Sequence, residues 1–578
     1  MIATKMSPHR LLLGLLIWVG LIHATGLGGV FTFDDNALLQ KESLRNFSGF
    51  EWFRLSSRPV ATATFAVNFT FFGDSPLSFH VVSIIVHVAA MACLYFLVRQ
   101  SLLLYRPETT RTQADMIALI IAGLWGSHPL TTSAVVYTVQ RSEALASLFI
   151  MLTMLAWGHA FGPPIGEQTE GQGRQGSLAR SNTTLWAALA IVAAYLAYGS
   201  KEISAGLSFM VLLYDRVFVA KAWRPMLRRW PWYALLLLPL LVGSWLLLPS
   251  RIGSGGSGGV TSTIGFNLRG FTPWGYFTSQ PFVFLQYLKL TVLPINQSLD
   301  YGWLPSKSIP IQWLGFFAWV LIASGLAFTW KKAKGIVCCL AIALLVLAPT
   351  SSIMPLQDII FEHRMYLPLA CLIAASVAWL AFRFPSYTET DPFPKWMLVG
   401  LLVVPLSMLT VHRNLQWWSD RELCEIDVYN NPNNPRALVG AAGSVEDNST
   451  NPEPTLAALR KAIKISKDRG YFYAGTDYKW TRYLADILFL TGRHSEARPH
   501  YEAALEMSYN DLQETEILFQ LAMIASIEGR YQDAERLFQE TMQGHPKVQE
   551  EVRTVYAEHL RRITRANKQK SSIIDESI

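Results

Sequence analysis

The sequence predicts an all-α chain, a polytopic transmembrane helix bundle followed by a soluble helical-repeat domain. Of 578 residues, 51% are hydrophobic and only 16% charged, too apolar a composition for an ordinary soluble protein of this size. Apolar runs near the roughly 20 residues that cross a bilayer recur from Leu11 to about His412 and then stop. Beyond them the chain is polar and carries two segments that resemble each other. The expected division is a membrane module over 1–412 and a soluble module over 413–578.

The spans fall near 11–30, 79–100, 114–127, 141–160, 184–200, 203–218, 234–250, 312–330, 335–350, 365–383 and 396–412, about eleven crossings. Lys5, His9 and Arg10 precede the first run, but no small-residue cleavage site follows it, so it reads as an uncleaved span. With the N-terminus in the cytosol, the even-numbered crossings return to loops holding Arg106 and Arg111, Arg174 and Arg180, Lys221 with Arg224, Arg228 and Arg229, Lys331 with Lys332 and Lys334, and Arg383 with Lys395. All are basic, as cytosolic loops are. That bias also accounts for the net charge of +7, so nucleic acid is not an expected partner. Tyr276 to Leu293 is interrupted by Gln280, Pro281, Gln286 and Lys289 and is expected to lie along the interface as an amphipathic helix. An odd number of crossings puts the C-terminal domain outside the cytosol. Long outer loops are expected at Phe31 to Ser78, His128 to Gln140 and about Arg251 to Ile311, the last with a flexible Gly/Ser tract at Gly253 to Gly259.

In the polar domain, LADILFLTGRHSEARPHYEAALEM and LAMIASIEGRYQDAERLFQETMQ begin at Leu484 and Leu521 and read helix, Gly-Arg turn, Ala-rich helix. Gly492 and Gly529 stand 37 positions apart, near the 34-residue period of tetratricopeptide repeats. Ala497 and Ala534 allow close helix approach, Pro546 ends the second unit, and a degenerate third pair is expected around Pro435 to Ser466. Stacked repeats leave a concave face for a partner; a generic helical bundle is the plain alternative. The five cysteines, four of them in apolar runs, imply neither a disulfide framework nor a zinc site.

Charges at a membrane edge are costly and often functional. Asp34 and Asp35 follow the first span in FTFDDN, where a neighbouring charge and partial burial would raise a carboxyl towards the range of a general base. His128 precedes Pro129, Arg141 and Glu143 open the next span, Lys201 and Glu202 interrupt an apolar stretch, and Glu362, His363 and Arg364 stand before another. Each alone reads equally as topogenic charge, capping or packing. Arg141, Lys201 and Arg364 on one membrane face suggest a shared anion, with lipid phosphate the most available.

The order of these motifs resembles a family. The acidic pair, RPV at Arg58 to Val60 with FFGDSPLSFHVVSIIVH, HPLTTSAVVYTVQRSEAL, SKEIS, NQSLDYGW, EHRMYLP and HRNLQWWSDRELCEIDVYNNPNNPRA are similar to the transmembrane and tetratricopeptide-repeat O-mannosyltransferases and their bacterial relatives, over nearly the whole chain. The resemblance implies a GT-C glycosyltransferase, passing a sugar such as mannose from a polyprenyl phosphate carrier to an acceptor hydroxyl, Ser or Thr of a protein, on the non-cytosolic face. It implies Asp34 or Asp35 as the catalytic acid. Arg141, Glu143, Lys201, Glu202, Arg364, His128 and Arg58 become the substrate and carrier-phosphate residues. The repeat array is shorter than in animal members, which points to a bacterial inner-membrane protein with its active site and C-terminal domain in the periplasm, or in the lumen of the endoplasmic reticulum if eukaryotic. Partners are then the lipid-linked sugar, an acceptor protein or glycan met through the repeats, and membrane lipids. No cofactor is implied, and no His/Asp cluster demands a metal. A transporter or flippase, or a scaffold in an envelope-glycan pathway, is the alternative class; it predicts internal hydropathy repeats or mid-span charges, which the sequence lacks.

Overall fold

The computed structural model describes residues 7–40, 44–45, 56–163, 182–253, 264–266, 268, 270–384, 392–443, 451–469, 476–508 and 510–576, and the regular elements among these are all helical. They form two compact units, Met1–Gly253 with Phe271–Asn430, and Ser254–Gly270 with Asn431–Ile578.

In the first unit a helix lies on each of the eleven predicted spans. Several start where the chain dictates: Pro8, Pro59, Pro76 and Pro273 occupy the first helical turn, where a missing N–H costs nothing. Thr110 and Gln113 close a capping box on Arg111–Gly126. Among the described residues five helical segments are long and apolar enough to cross a membrane, Pro8–Gly28, Pro76–Tyr105, Thr138–Phe161, Ile309–Trp330 and Glu362–Arg383. Ile309–Trp330 makes the solvent plain. Its Leu314, Phe317, Leu321 and Phe328 are 60–73% exposed, a density of bare apolar side chains that suits lipid and not water. Inside the bundle the opposite economy holds: Ala187, Ala190, Ala194 and Ala197 are fully buried on one face of Thr183–Tyr198, and small side chains let that helix lie close to Arg141–Phe161.

Two expectations need correction. The outer loop from Phe31 to Ser78 contains helices, Asp34–Leu39 and Pro59–Phe72. The second is an uncharged 14-residue run begun by a proline and ended by Gly73 at φ 63°. At about 1.5 Å per residue it is too short to span some 30 Å of hydrocarbon, which is why a search for spans passes over it. The boundary also lies later than 412, because the helix Asp420–Asn430 belongs to the first unit and Asp427 on it accepts the backbone N–H groups of Leu299 (2.9 Å) and Asp300 (2.8 Å). The segment expected at Tyr276 to Leu293 is the helix Pro273–Val292, with Tyr276, Gln280, Val283, Tyr287 and Leu290 buried in a stripe and Leu285, Leu288 and Val292 exposed.

The second unit is a run of antiparallel helix pairs: Pro435–Ala442 with Glu453–Arg469, Thr476–Leu490 with His494–Glu506, and Asp511–Ile527 with Tyr531–Met542, followed by Pro546–Glu576. Gly492 and Gly529 take φ of 76° and 75° at the turns between paired helices, a conformation that only glycine adopts without cost. Ala497 and Ala534 are fully buried where the partners cross. Leu456, Leu459, Leu484, Leu488, Ile517 and Ile524 join in one continuous core across the pairs, as stacking repeats require.

Candidate active site

The first unit has two chemically different ends. At one, Arg229 pairs with Asp215 and donates to the carbonyl of Phe161 at the close of its helix. At the other, where Arg141–Phe161 and Tyr366–Arg383 begin, the residues singled out from sequence gather.

Asp34 and Asp35 open a short helix directly after Phe33, whose φ of 52° and ψ of −116° lie in a region that a non-glycine residue enters only under constraint. The constraint is visible. The last long helix of the unit, Pro392–Gln416, and the residues that follow it hold the chain ahead of Phe33: Asn414 donates to the carbonyl of Ile22 (2.9 Å) and to Thr25 (3.1 Å). Trp418 donates to the carbonyl of Thr25, the amide of Val30 donates to the carbonyl of Trp417 (3.0 Å), and the Thr32 hydroxyl donates to Asp420. Val136, Tyr137, Leu299, Trp417 and Leu423 pack beneath as a small apolar cluster against which Phe33 rests.

The two carboxylates thereby have different surroundings. Asp35 is fully buried and accepts the backbone N–H groups of Val139 (2.7 Å), Thr138 (3.3 Å) and Thr32 (3.4 Å). Asp34 is exposed, with its amide donating to the hydroxyl of Tyr137 (3.1 Å). Burial holds the Asp35 carboxyl up at about 7 against those bonds, with the charge of Asp34 adding to it.

Beside the acidic pair lies a group of paired charges, part of it buried. Lys201 sits 2.8 Å from Glu143, also donates to Gln140, and is 7% exposed; Glu143 is fully buried, and Lys201 is the cation paired with it. Arg58 and Glu202 make a two-point pair at 3.0 and 2.7 Å at the more open edge. Tyr137 links the acids to these charges, its ring 6.4 Å from that of His363, which lies in the field of Lys201, Arg364 and Arg58.

Two predicted phosphate ligands bond to neutral groups of the protein. Arg141 is fully buried with its donors spent on neutral partners, Asn68 (2.7 Å), the Phe79 carbonyl (2.8 Å), Ser83 (3.2 Å) and Thr64 (3.3 Å), its guanidinium over the rings of Phe65 and Phe79. It ties the Pro59–Phe72 helix down behind Asp35. His128 accepts the amide of Leu130 on one ring nitrogen and meets the Thr291 carbonyl at 3.1 Å on the other; burial pulls it down to about 4, so it is neutral and caps a turn. Arg364 donates to the carbonyls of Asp358 (2.8 Å) and Ile359 (3.1 Å), which leaves part of its fork unspent.

A set of residues that sequence reasoning did not assign to the site holds the third outer loop. Glu362 accepts the Ser298 amide (2.8 Å), the Tyr301 hydroxyl (2.8 Å) and Gln297 (2.9 Å), with Arg413 at 3.7 Å. Asp427 clamps the next two amides of the same loop. NQSLDYGW, EHRMYLP and the segment after HRNLQWW are thus one structure, in which Glu362 takes one backbone and two side-chain donors of the loop and Asp427 takes the next two backbone donors. The only signal in the sequence was that all three stretches are polar and rich in acids, amides and tryptophan where a loop would tolerate anything.

Burial and the nearby Asp300 charge hold the Asp427 carboxyl up at about 8. A carboxyl raised in the folded state favours the fold when protonated. Its contribution is complete below the ordinary value near 3.8 and is lost as pH rises through about 7 for Asp35 and about 8 for Asp427. The melting temperature of the detergent-solubilised chain should therefore fall from about pH 6 to about pH 9, because each tenfold gain in proton affinity on folding is worth roughly 1.4 kcal/mol. A flat or rising profile over that window would show that neither carboxyl is perturbed in this sense.

A family model described as tetratricopeptide repeat matches residues 478–547. Protein O-mannosyl-transferase TMTC3 of Homo sapiens is 22% identical over 469 residues, 73% of this chain and 46% of that protein. TMTC1 of Homo sapiens is 34% identical over 105 residues, 18% of this chain and 11% of that protein. TMTC4 of Homo sapiens is 31% identical over 158 residues, 24% of this chain and 21% of that protein. The chain spans less than half the length of these relatives. No solved structure matches.

Proposed function

We propose that this chain is a polyprenyl-phosphate-dependent, inverting glycosyltransferase of the GT-C type, moving mannose or a related sugar to a Ser or Thr hydroxyl of a protein on the non-cytosolic membrane face. The observation that carries the reading is the juxtaposition of an exposed carboxylate, Asp34, with the buried Lys201–Glu143 pair and the Arg58–Glu202 pair at one end of a lipid-facing bundle. The names of the similar proteins agree with it.

In this reaction the acceptor oxygen attacks the anomeric carbon, its proton passes to a carboxylate, and the carbon–oxygen bond to the phosphate breaks with its electron pair leaving on the phosphate. One displacement inverts the anomeric centre. The base must touch the hydroxyl, and contact decides before proton affinity does. Asp34 is exposed and Asp35 has both oxygens on backbone amides, so Asp34 is the base and Asp35 the residue that positions it. Charge grows on the departing phosphate, and Lys201, Arg58 and the unspent N–H groups of Arg364 are the cations that meet it, each worth roughly 3–4 kcal/mol where water is scarce. Glu143 and Glu202 hold the cations in place until the lipid arrives. A phosphate so held leaves without metal assistance, and turnover that survives a chelator is the expected result. The repeats present the protein acceptor on their stacked surface.

The test is incubation of the purified chain in nanodiscs with radiolabelled polyprenyl-phosphate mannose and a Ser/Thr-rich peptide. Label should pass to the peptide with release of polyprenyl phosphate. Donor recovered intact, or merely moved across the bilayer, would overturn the reading in favour of a carrier.

A further inference from the structure

At the end of the first unit away from the acidic pair, a cavity of about 450 Å³ opens between the helices Pro76–Tyr105, Arg111–Gly126, Arg141–Phe161, Lys334–Leu347 and Tyr366–Arg383, within the roughly 300–1,000 Å³ range of small-molecule sites. Its walls are mostly apolar, aliphatic side chains such as Leu97, Met151, Ile342 and Ala374 with the rings of Phe218 and Phe382 among them. It follows Tyr366–Arg383 from Leu367 to Arg383, about 24 Å at about 1.5 Å per residue, most of the roughly 30 Å depth of a hydrocarbon core. Arg106, Lys332 and Arg383 stand at its mouth. None of the three has an ion pair among the described residues; each lies over an aromatic ring instead, Arg106 over Phe382 (4.1 Å), Lys332 over Phe328 (4.8 Å) and Arg383 over Phe384 (5.5 Å). Other cations of this unit are matched, as Arg99 is by Asp115 and Arg229 by Asp215.

We infer that this bore seats one acyl chain of an anionic membrane phospholipid, whose headgroup phosphate is taken by Arg106, Lys332 and Arg383. A long greasy slot fits a hydrocarbon chain, and a trio of unneutralised cations at its rim fits an anionic headgroup; basic clefts between spanning helices bind such lipids on the positively biased face. The carrier lipid is a different occupant. The helix Tyr366–Arg383 has 18 residues, so a phosphate at Arg383 lies about 27 Å along it from the cluster around His363. A lipid bound here holds helices that build both ends of the bundle and leaves the reacting groups untouched.

Native mass spectrometry from nanodiscs of mixed phosphatidylglycerol and phosphatidylcholine should show one retained phosphatidylglycerol in the wild-type chain. The triple variant Arg106→Gln, Lys332→Gln, Arg383→Gln should bind it about a hundredfold more weakly, the sum expected of three near-surface cations. Ala374→Phe, which fills the bore and keeps every charge, should lose the adduct too. Equal retention of phosphatidylcholine, retention by Ala374→Phe with normal affinity, or displacement of the bound lipid by added polyprenyl phosphate would each overturn the assignment. Should the triple variant elute as aggregate, the Ala374→Phe result decides.

Discussion

Asp34→Asn should remove glycosyl transfer, with turnover down by about 10²–10⁴, the usual worth of a positioned base, while the lipid-linked donor still binds and the chain keeps its melting temperature. The side chain is exposed, and its backbone amide keeps the bond to Tyr137 whatever the side chain, so the fold loses little when the charge goes. Asp35→Asn is the contrasting case. That carboxylate is fully buried on three backbone amides, and an amide group would present an N–H to at least one of them, leaving a buried donor unmet at about 1–3 kcal/mol. Its activity loss should come with a lower melting temperature and an altered loop. The pair of variants separates base from support: a fully active Asp34→Asn, or a destabilised one, would reverse the two roles.

Lys201→Met should be the most destabilising single change at the site. It strands the carboxylate of Glu143, fully buried and ion-paired with Lys201, and breaking one partner of a buried pair costs roughly 3–5 kcal/mol. Lys201→Met with Glu143→Gln removes both charges together and should recover most of that stability. If Lys201 is there to meet a phosphate, the double variant regains its fold and not its turnover, and its KM for the lipid-linked sugar rises. Stability and activity returning together would make the pair a structural fastening. Thermal melting and single-donor kinetics on the same preparations decide between these.

Part of the candidate site is legible in the chain itself. Asp34, Asp35, Lys201, Glu143 and Arg58 announce themselves because a charge in an apolar stretch has no cheap reason to be there, and they do converge. Arg141 and His128 draw attention by the same rule and prove to be fastened to neutral groups. A sequence shows that a buried charge must be satisfied, but not by whom. The oxygens of Asn68, Ser83, Thr64 and Phe79 that surround Arg141 lie 58 to 77 positions away. The short Pro59–Phe72 helix escapes notice because a test for crossing a bilayer asks for length. Nor is the clamp of Glu362 and Asp427 on residues 297–301 visible in the chain, since three of its five donors are backbone amides that every residue possesses.

Local and periodic features follow from the order of residues alone. Apolar runs of bilayer length dictate helices in lipid because a helix satisfies every backbone group within its own segment, and a Gly-Arg turn repeated at 37 positions dictates paired helices because only glycine relaxes at those turns. Packing decides the rest: which carboxylate is exposed and which is buried, which cations face a carboxylate and which face an open cavity, and that Asn414 on Pro392–Gln416 bonds the end of the first helix some 390 positions away. Those outcomes depend on burial and on distances between residues remote in the chain. Both quantities set the free energy of a charge, and neither exists until the helices have packed.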